Sequence, residues 1–221
     1  MTILKKLFSI LSSNYDQKAE FSQEELNAYH ESGHIHLAYL SGFQCENVTL
    51  LQDGSQNAFA KFHYGDKAIS SLIVAITHFK EDPEMYYMLP YDLKLQTELA
   101  AAKITGTLLA GSVAEHLYKS GSDYVGELKM EISGPDLARV SSVHELLNSL
   151  DPQNHNLDYI AWEFKKIAGF FQQEMVWNSI DKLAKAILSS TSKSLSQSQI
   201  ERSLHESGYM NFINHTEGNS A

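Results

Sequence analysis

A mainly α-helical domain with a small β-hairpin beside its first long helix is what this sequence predicts, on three observations. Apolar residues recur at three- and four-residue steps through several long runs. Only two short stretches, near residues 47–51 and 58–64, read as extended. The 221 residues, 43% hydrophobic and 20% charged, match an ordinary soluble globular unit. Such a chain buries a core without disulfides or metal staples, so a metal here would serve chemistry rather than hold the fold together.

The first 20 residues read as an N-terminal amphipathic segment. Lys5 and Lys6 are mixed with Ile3, Leu4, Leu7, Phe8, Ile10 and Leu11. That apolar run is too short for a signal-peptide core, and no small-residue cleavage site follows. We expect a short helix packing on the domain, with weak contact to a membrane surface through residues 1–12 as the alternative. No stretch approaches the roughly 20 apolar residues that span a bilayer, and the expected location is cytoplasmic. Cys45 is the only cysteine, which excludes a disulfide framework and a cysteine-rich zinc knuckle. The net charge of -10 comes from 17 Lys+Arg against 27 Asp+Glu, with Arg139 and Arg202 the only arginines. A negative field without a basic cluster repels phosphate backbones, so nucleic acid is excluded as a partner.

Residues 21–206 read as the main domain. Ser22 and Glu25 form a capping box, flanked by Phe21 and Leu26 as a hydrophobic staple. The helix they start should run to about Leu40 and stop at Gly42. Leu26, Tyr29, Gly33, Leu37 and Leu40 mark one buried face. Asn47–Leu51 and Ala58–Tyr64 flank a turn-rich stretch and read as the hairpin. Ala68–Phe79 reads as a helix and Glu81–Asp92, with Pro83 and Pro90, as a loop. Leu93–Lys119 is a long helix in which Gly106 and Gly111 let another helix come close. Gly121–Gly134 is irregular and acidic; Pro135 then opens a helix reaching about Ser149. Leu157–Leu188 is helical with a break near Gly169. Its aromatics Trp162, Phe164, Phe170, Phe171 and Trp177 are assigned to packing. Ser196–Leu204 is a last short helix, and residues 207–221 read as a loose polar tail.

The chemistry lies in His30-Glu31-Ser32-Gly33-His34. Residues four apart share a helix face, so His30 and His34 can offer two imidazoles to one metal ion. Glu31 is then placed to take a proton from a water on that metal and deliver it to a leaving amine. On a helical wheel both histidines lie at the edge of the apolar face, as a metal site in a cleft requires. A catalytic zinc keeps three protein ligands and an open position. Candidates for the third are Glu115, His116, Asp123, Glu127, Glu131 and Asp136, and spacing does not choose among them.

These segments resemble the peptidase domain of the FtsH-type zinc metallopeptidases, family M41. The resemblance begins with the histidine motif followed by Leu37-Ala38-Tyr39-Leu40, and continues with Val48-Thr49-Leu50 as the next strand. Leu109–Leu117 is similar to the family's Gly-Gly-Arg-Ala-Ala-Glu-Glu helix. Ser133–Arg139 is similar to its Gly-Ala-Ser-Asn-Asp-Leu segment, and Ile180–Leu204 to its closing helices. The likeness implies a helical zinc peptidase with His30, His34 and Asp136 as Zn2+ ligands and Glu31 as general base. Glu115 and His116 would then be supporting groups near the metal.

Three departures limit what carries over. The chain has no Gly-x-x-x-x-Gly-Lys-Ser/Thr loop and hence no ATPase of its own; it has no transmembrane helix; and Gly65–Leu95 is longer and differently composed. The expected activity is therefore ATP-independent cleavage of a flexible polypeptide substrate, or of one supplied by an ATPase acting in trans. Ala58–Tyr64 suits an edge strand that pairs with extended substrate. The alternative is a non-catalytic binding or regulatory module on a peptidase-like fold, and a non-peptide amide substrate fits the same residues.

Overall fold

The structure, a computed structural model, describes residues 21–51, 58–63, 82–121, 136–141, 143–144 and 157–218. It is mainly α-helical with one small antiparallel sheet, as the sequence predicts. The helix expected at Ala68–Phe79, the N-terminal segment 1–20, most of Gly121–Gly134, and Asp123, Glu127 and Glu131 lie outside the described residues.

Helix α1 spans Gln23–Leu40 and begins as expected. The Ser22 hydroxyl accepts the Glu25 N–H at 3.2 Å, while the Ser22 N–H donates back to Glu25 Oε2 at 2.9 Å. It ends where Gly42 takes φ 80°. There the Phe43 N–H donates to Ala38 O and the Gly42 N–H to Tyr39 O, closing the carbonyls of the last turn. The single buried face expected of α1 is a correction. From Ala28 to Tyr39 only His30 is more than marginally exposed, because other elements enclose the helix. On one side lies α3 (Tyr91–Ser120), on another α5 (Glu174–Ser189), and on a third the sheet.

The sheet has the order β2-β1-β3. Strand β1 (Gln44–Leu50) pairs antiparallel with β2 (Ala58–His63), Val48 opposite Ala60, with the register slipping between Cys45 and Asn47. On its other side β1 pairs with β3 (Ser194–Ser196), Val48 opposite Leu195. The hairpin was legible from alternation. Strand β3 was not, because only Leu195 in the serine-rich stretch carries an apolar signal.

Three boundaries differ from expectation. Glu81–Asp92 is not simply a loop: Pro83–Tyr87 forms a short helix α2, capped by the Asp82 carboxylate, and α3 starts right after Pro90. Proline breaks a helix interior but suits a helix start, and Pro83 lies in that first turn. The break expected near Gly169 in Leu157–Leu188 is present but lies three residues further on, and Gly169 itself is exposed and free of close neighbours. Its two helices, α4 (Leu157–Phe171) and α5, meet at Gln172–Gln173, where buried Phe171 and Val176 anchor both sides of the turn. Of the aromatics assigned to packing, Trp162 stays 56% exposed under the Lys166 ammonium.

The third difference is the C-terminus. After α6 (Gln197–Glu206) the chain does not trail off. Tyr209–Gly218 forms helix α7, and Tyr209 and Ile213 are buried in the common core. Tyr209 donates its hydroxyl to the His36 carbonyl at 2.6 Å. The His36 ring is fully buried: Nδ1–H donates to Ser32 O at 2.8 Å, and Nε2 accepts from Ser179 at 2.8 Å. Burial pushes this imidazole down to about 4, so it is a neutral structural group.

Candidate metal centre

Helix α1 presents His30 and His34 one turn apart, with Nε2 atoms 3.0 Å from each other. Asp136, in the helical residues 136–141, brings Oδ2 to 3.1 Å from His30 Nε2 and 3.4 Å from His34 Nε2. The structure therefore brings the three ligand candidates together, 106 residues apart in sequence between His30 and Asp136.

The outer nitrogens fix the rings. His34 Nδ1 lies 2.7 Å from the carbonyl oxygen of Thr107, which can only accept, so Nδ1 carries the proton and Nε2 the lone pair. His30 Nδ1 faces Glu115 Oε2 at 3.3 Å, which sets the same tautomer when that ring is neutral. Glu115 also takes the Lys119 ammonium through its other oxygen. With both rings neutral, two nitrogen lone pairs and a carboxylate oxygen converge on one point, a group that could hold a metal ion. Carboxylate and carbonyl partners on the outer nitrogens are what hold metal-binding histidines in place.

The three donor atoms form a triangle with sides of 3.0, 3.1 and 3.4 Å, close enough together for one metal ion to share them; two imidazoles and a carboxylate are a donor set that zinc accepts. The floor of the site is Gly111 of α3. A Cβ there would lie 2.4 Å from His34 Nε2 and 2.7 Å from His30 Nε2, so only glycine leaves room for the two rings. On α1, immediately before His34, Gly33 lies against Ala110 O, where a Cβ would come within 2.4 Å. These two glycines set the close approach of α1 and α3 that brings Thr107 and Glu115 within reach of the imidazoles.

Charge is distributed to match. Burial disfavours a charged His30, but hydrogen bonds to Asp136 and Glu115 outweigh it and push the imidazole up to about 9. Glu115 loses some stabilisation of its charge to burial, yet His30 and Lys119 hold it below the usual carboxylate range. Glu31 is buried beside the triangle, 5% exposed. Burial lifts its carboxyl above the usual range, opposed by the charges of His34 and His30 and by the backbone of Ala60 on β2. A proton on Glu31 is thus easier to hold than on a solvated glutamate.

Residue spacing located His30, Glu31 and His34. Glu115, a third-ligand candidate by residue type and a supporting group by the family likeness, lies against His30 Nδ1. His116 sits on the same helix with its Nε2 near Ser120, at 3.4 Å. Thr107 was missed, because it acts through a backbone carbonyl that no side-chain pattern reveals. Among the described residues no helix is long and apolar enough to cross a membrane. Neither a protein-family model, nor a curated protein, nor a solved structure matches this chain.

Proposed function

We propose that this chain is a zinc-dependent endopeptidase of the FtsH type, working in the cytoplasm. The observation that carries the reading is the triangle of His30 Nε2, His34 Nε2 and Asp136 Oδ2, with each outer Nδ1 turned to an acceptor. A zinc ion held there supplies an acidified water and polarisation of a substrate carbonyl. His30, His34 and Asp136 hold the ion, and Glu115 and the Thr107 carbonyl keep the imidazoles aimed at it. Glu31 takes the proton at its carboxylate and returns it to the leaving amine, and its raised affinity for a proton suits both halves of that exchange.

Strand β2 supports a polypeptide substrate. It is an edge of the described sheet, and its residues alternate: Ala58, Ala60 and Phe62 half-buried, Phe59 and Lys61 exposed. An extended chain can pair with such an edge through its backbone, and the Ala60 backbone is already next to Glu31. Substrates would be flexible segments, or chains delivered by a separate ATPase.

The test is metal content together with cleavage of an unfolded protein. Wild type should hold one zinc per chain and cleave, while Glu31→Gln should hold zinc and not cleave. Full cleavage by Glu31→Gln overturns the role of Glu31. Two histidines and a carboxylate also serve non-haem iron, so iron in place of zinc overturns the peptidase reading, and a chain that binds zinc without cleaving is the binding module instead.

A further inference from the structure

Among the described residues, seven of the eleven exposed large apolar side chains lie on one stretch, from Met85 to Leu99. Met88 is 83% exposed, Tyr91 82%, Leu99 53% and Leu95 46%. Between Asp92 and Lys103, helix α3 turns Thr97, Ala100 and Ala101 inward and leaves Asp92, Leu95, Gln96, Leu99 and Lys103 facing out. Steps of three and four place these five residues on one face, with Leu95 and Leu99 in its middle. Apolar surface of this kind marks a binding face.

The charges say what binds. Lys94 is engaged locally, donating to Tyr87 O at 2.9 Å and lying over the Tyr86 ring. Glu98 accepts from the Tyr86 hydroxyl at 2.7 Å. Asp92 and Lys103, at the two ends of the apolar strip, have no charged partner among the described residues. They stand 11 residues apart, three helical turns, and so point the same way.

We propose that this face of α3 docks against a second copy of the same chain, the two α3 helices running antiparallel about a two-fold axis. That arrangement sets Asp92 on Lys103 of the partner subunit, and reciprocally Lys103 on Asp92 of the partner subunit. In the middle, Leu95 meets Leu99 of the partner subunit, and Leu99 meets Leu95 of the partner subunit. The pattern is self-complementary, as a two-fold interface demands. A parallel pair would set each charge against its own kind, and an anionic membrane is repelled by a chain of net charge -10. One short helix pair lies at the low end of specific interfaces, below about 1,200 Å², so the dimer is weak and reversible. This pairing is independent of the metal centre, which occupies the other half of α3.

Sedimentation velocity of the full chain over a wide concentration range tests it. Wild type should self-associate. Asp92→Lys and Lys103→Asp should each weaken association by about tenfold or more, equivalent to about 1.4 kcal/mol. The double variant Asp92→Lys/Lys103→Asp should return close to wild type, because it restores both pairs and leaves the net charge unchanged. Leu99→Glu should be monomeric with an unaltered helical spectrum. A wild type that stays monomeric overturns the proposal, as does a double variant no better than the singles. Capture of an unfolded polypeptide by this face in a monomeric protein would put a substrate where the second copy is proposed.

Discussion

Asp136 and Gly111 show how much of the site depends on single residues. Asp136 closes the triangle of candidate ligands, and if zinc is held there Asp136→Ala should abolish its stoichiometric binding while leaving the fold, because its neighbours on α1 stay packed. Gly111 contributes only the absence of a side chain. The Cβ of Gly111→Ala would fall 2.4 Å from His34 Nε2 and 2.6 Å from Cε1, so both rings must leave their positions. We expect zinc affinity to fall by at least about tenfold, the scale of losing a supporting group around a metal. Competition against a chromophoric chelator measures this, and unchanged affinity would show that the rings do not sit on Gly111. Glu115→Gln should cost about 10–100-fold in the same assay, since the charged acceptor on His30 Nδ1 is lost. At this scale the sequence disclosed what chemistry spaces regularly. His30, Glu31 and His34 announce themselves by a helical interval. Asp136 needed a family likeness to be chosen among six acidic or histidine candidates, and Thr107 left no trace because its contribution is a carbonyl.

Helix α1 is bounded and buried by different kinds of interaction, and these were unequally legible. Its start is local chemistry, Ser22 with Glu25, and its end is Gly42 at positive φ, so both could be read from neighbouring residues. We expect Ser22→Ala to lower stability by about 1 kcal/mol, the usual value of an N-cap, with zinc content unaffected. What encloses α1 is not local. Apolar periodicity marks one face, yet His36 and Ser32 are equally buried because α5 and the sheet cover the others. Polar residues inside a helical repeat look solvated until their partners are known, and Ser179 is 143 positions away from His36. The contact between α1 and α3 turns on Gly33, where an added methyl would meet the Ala110 carbonyl oxygen and the Ala114 Cβ at 2.4 and 2.6 Å. A backbone oxygen inside a helix cannot step aside, so Gly33→Ala should force the helices apart. The cost expected from overpacking is about 1–3 kcal/mol, and zinc affinity should fall with it, because Thr107 and Glu115 retreat from the imidazoles. Denaturant unfolding together with zinc titration separates this from Ser22→Ala, which should move stability alone.

Across the whole molecule, the C-terminal helix is tied to the helix that carries the two candidate histidine ligands. Residues after Ser207 look polar and loose in sequence, since Asn211, Asn214, His215, Thr216 and Glu217 outnumber their apolar neighbours. Yet Tyr209 and Ile213, four apart, are enough to seat α7 on the core, and Phe212 packs beside Phe170 with ring centroids 6.2 Å apart. Tyr209 also holds the carbonyl of His36, two residues beyond the candidate ligand His34. Removing this ring should therefore weaken the support behind α1 as well as the core. Tyr209→Ala should cost about 3–5 kcal/mol, as for other large aromatics emptied from a core. In a chain of 221 residues each kcal/mol is worth about 2–4 °C in Tm, so the melting temperature should drop by about 6–20 °C. Tyr209→Phe keeps the ring and loses only the hydrogen bond, worth about 1 kcal/mol, and should move Tm by about 2–4 °C. A loose tail would give no shift in either variant. If Tyr209→Ala is fully destabilising and Tyr209→Phe is silent, the ring alone anchors α7, and the hydroxyl on His36 follows from packing rather than stabilising it.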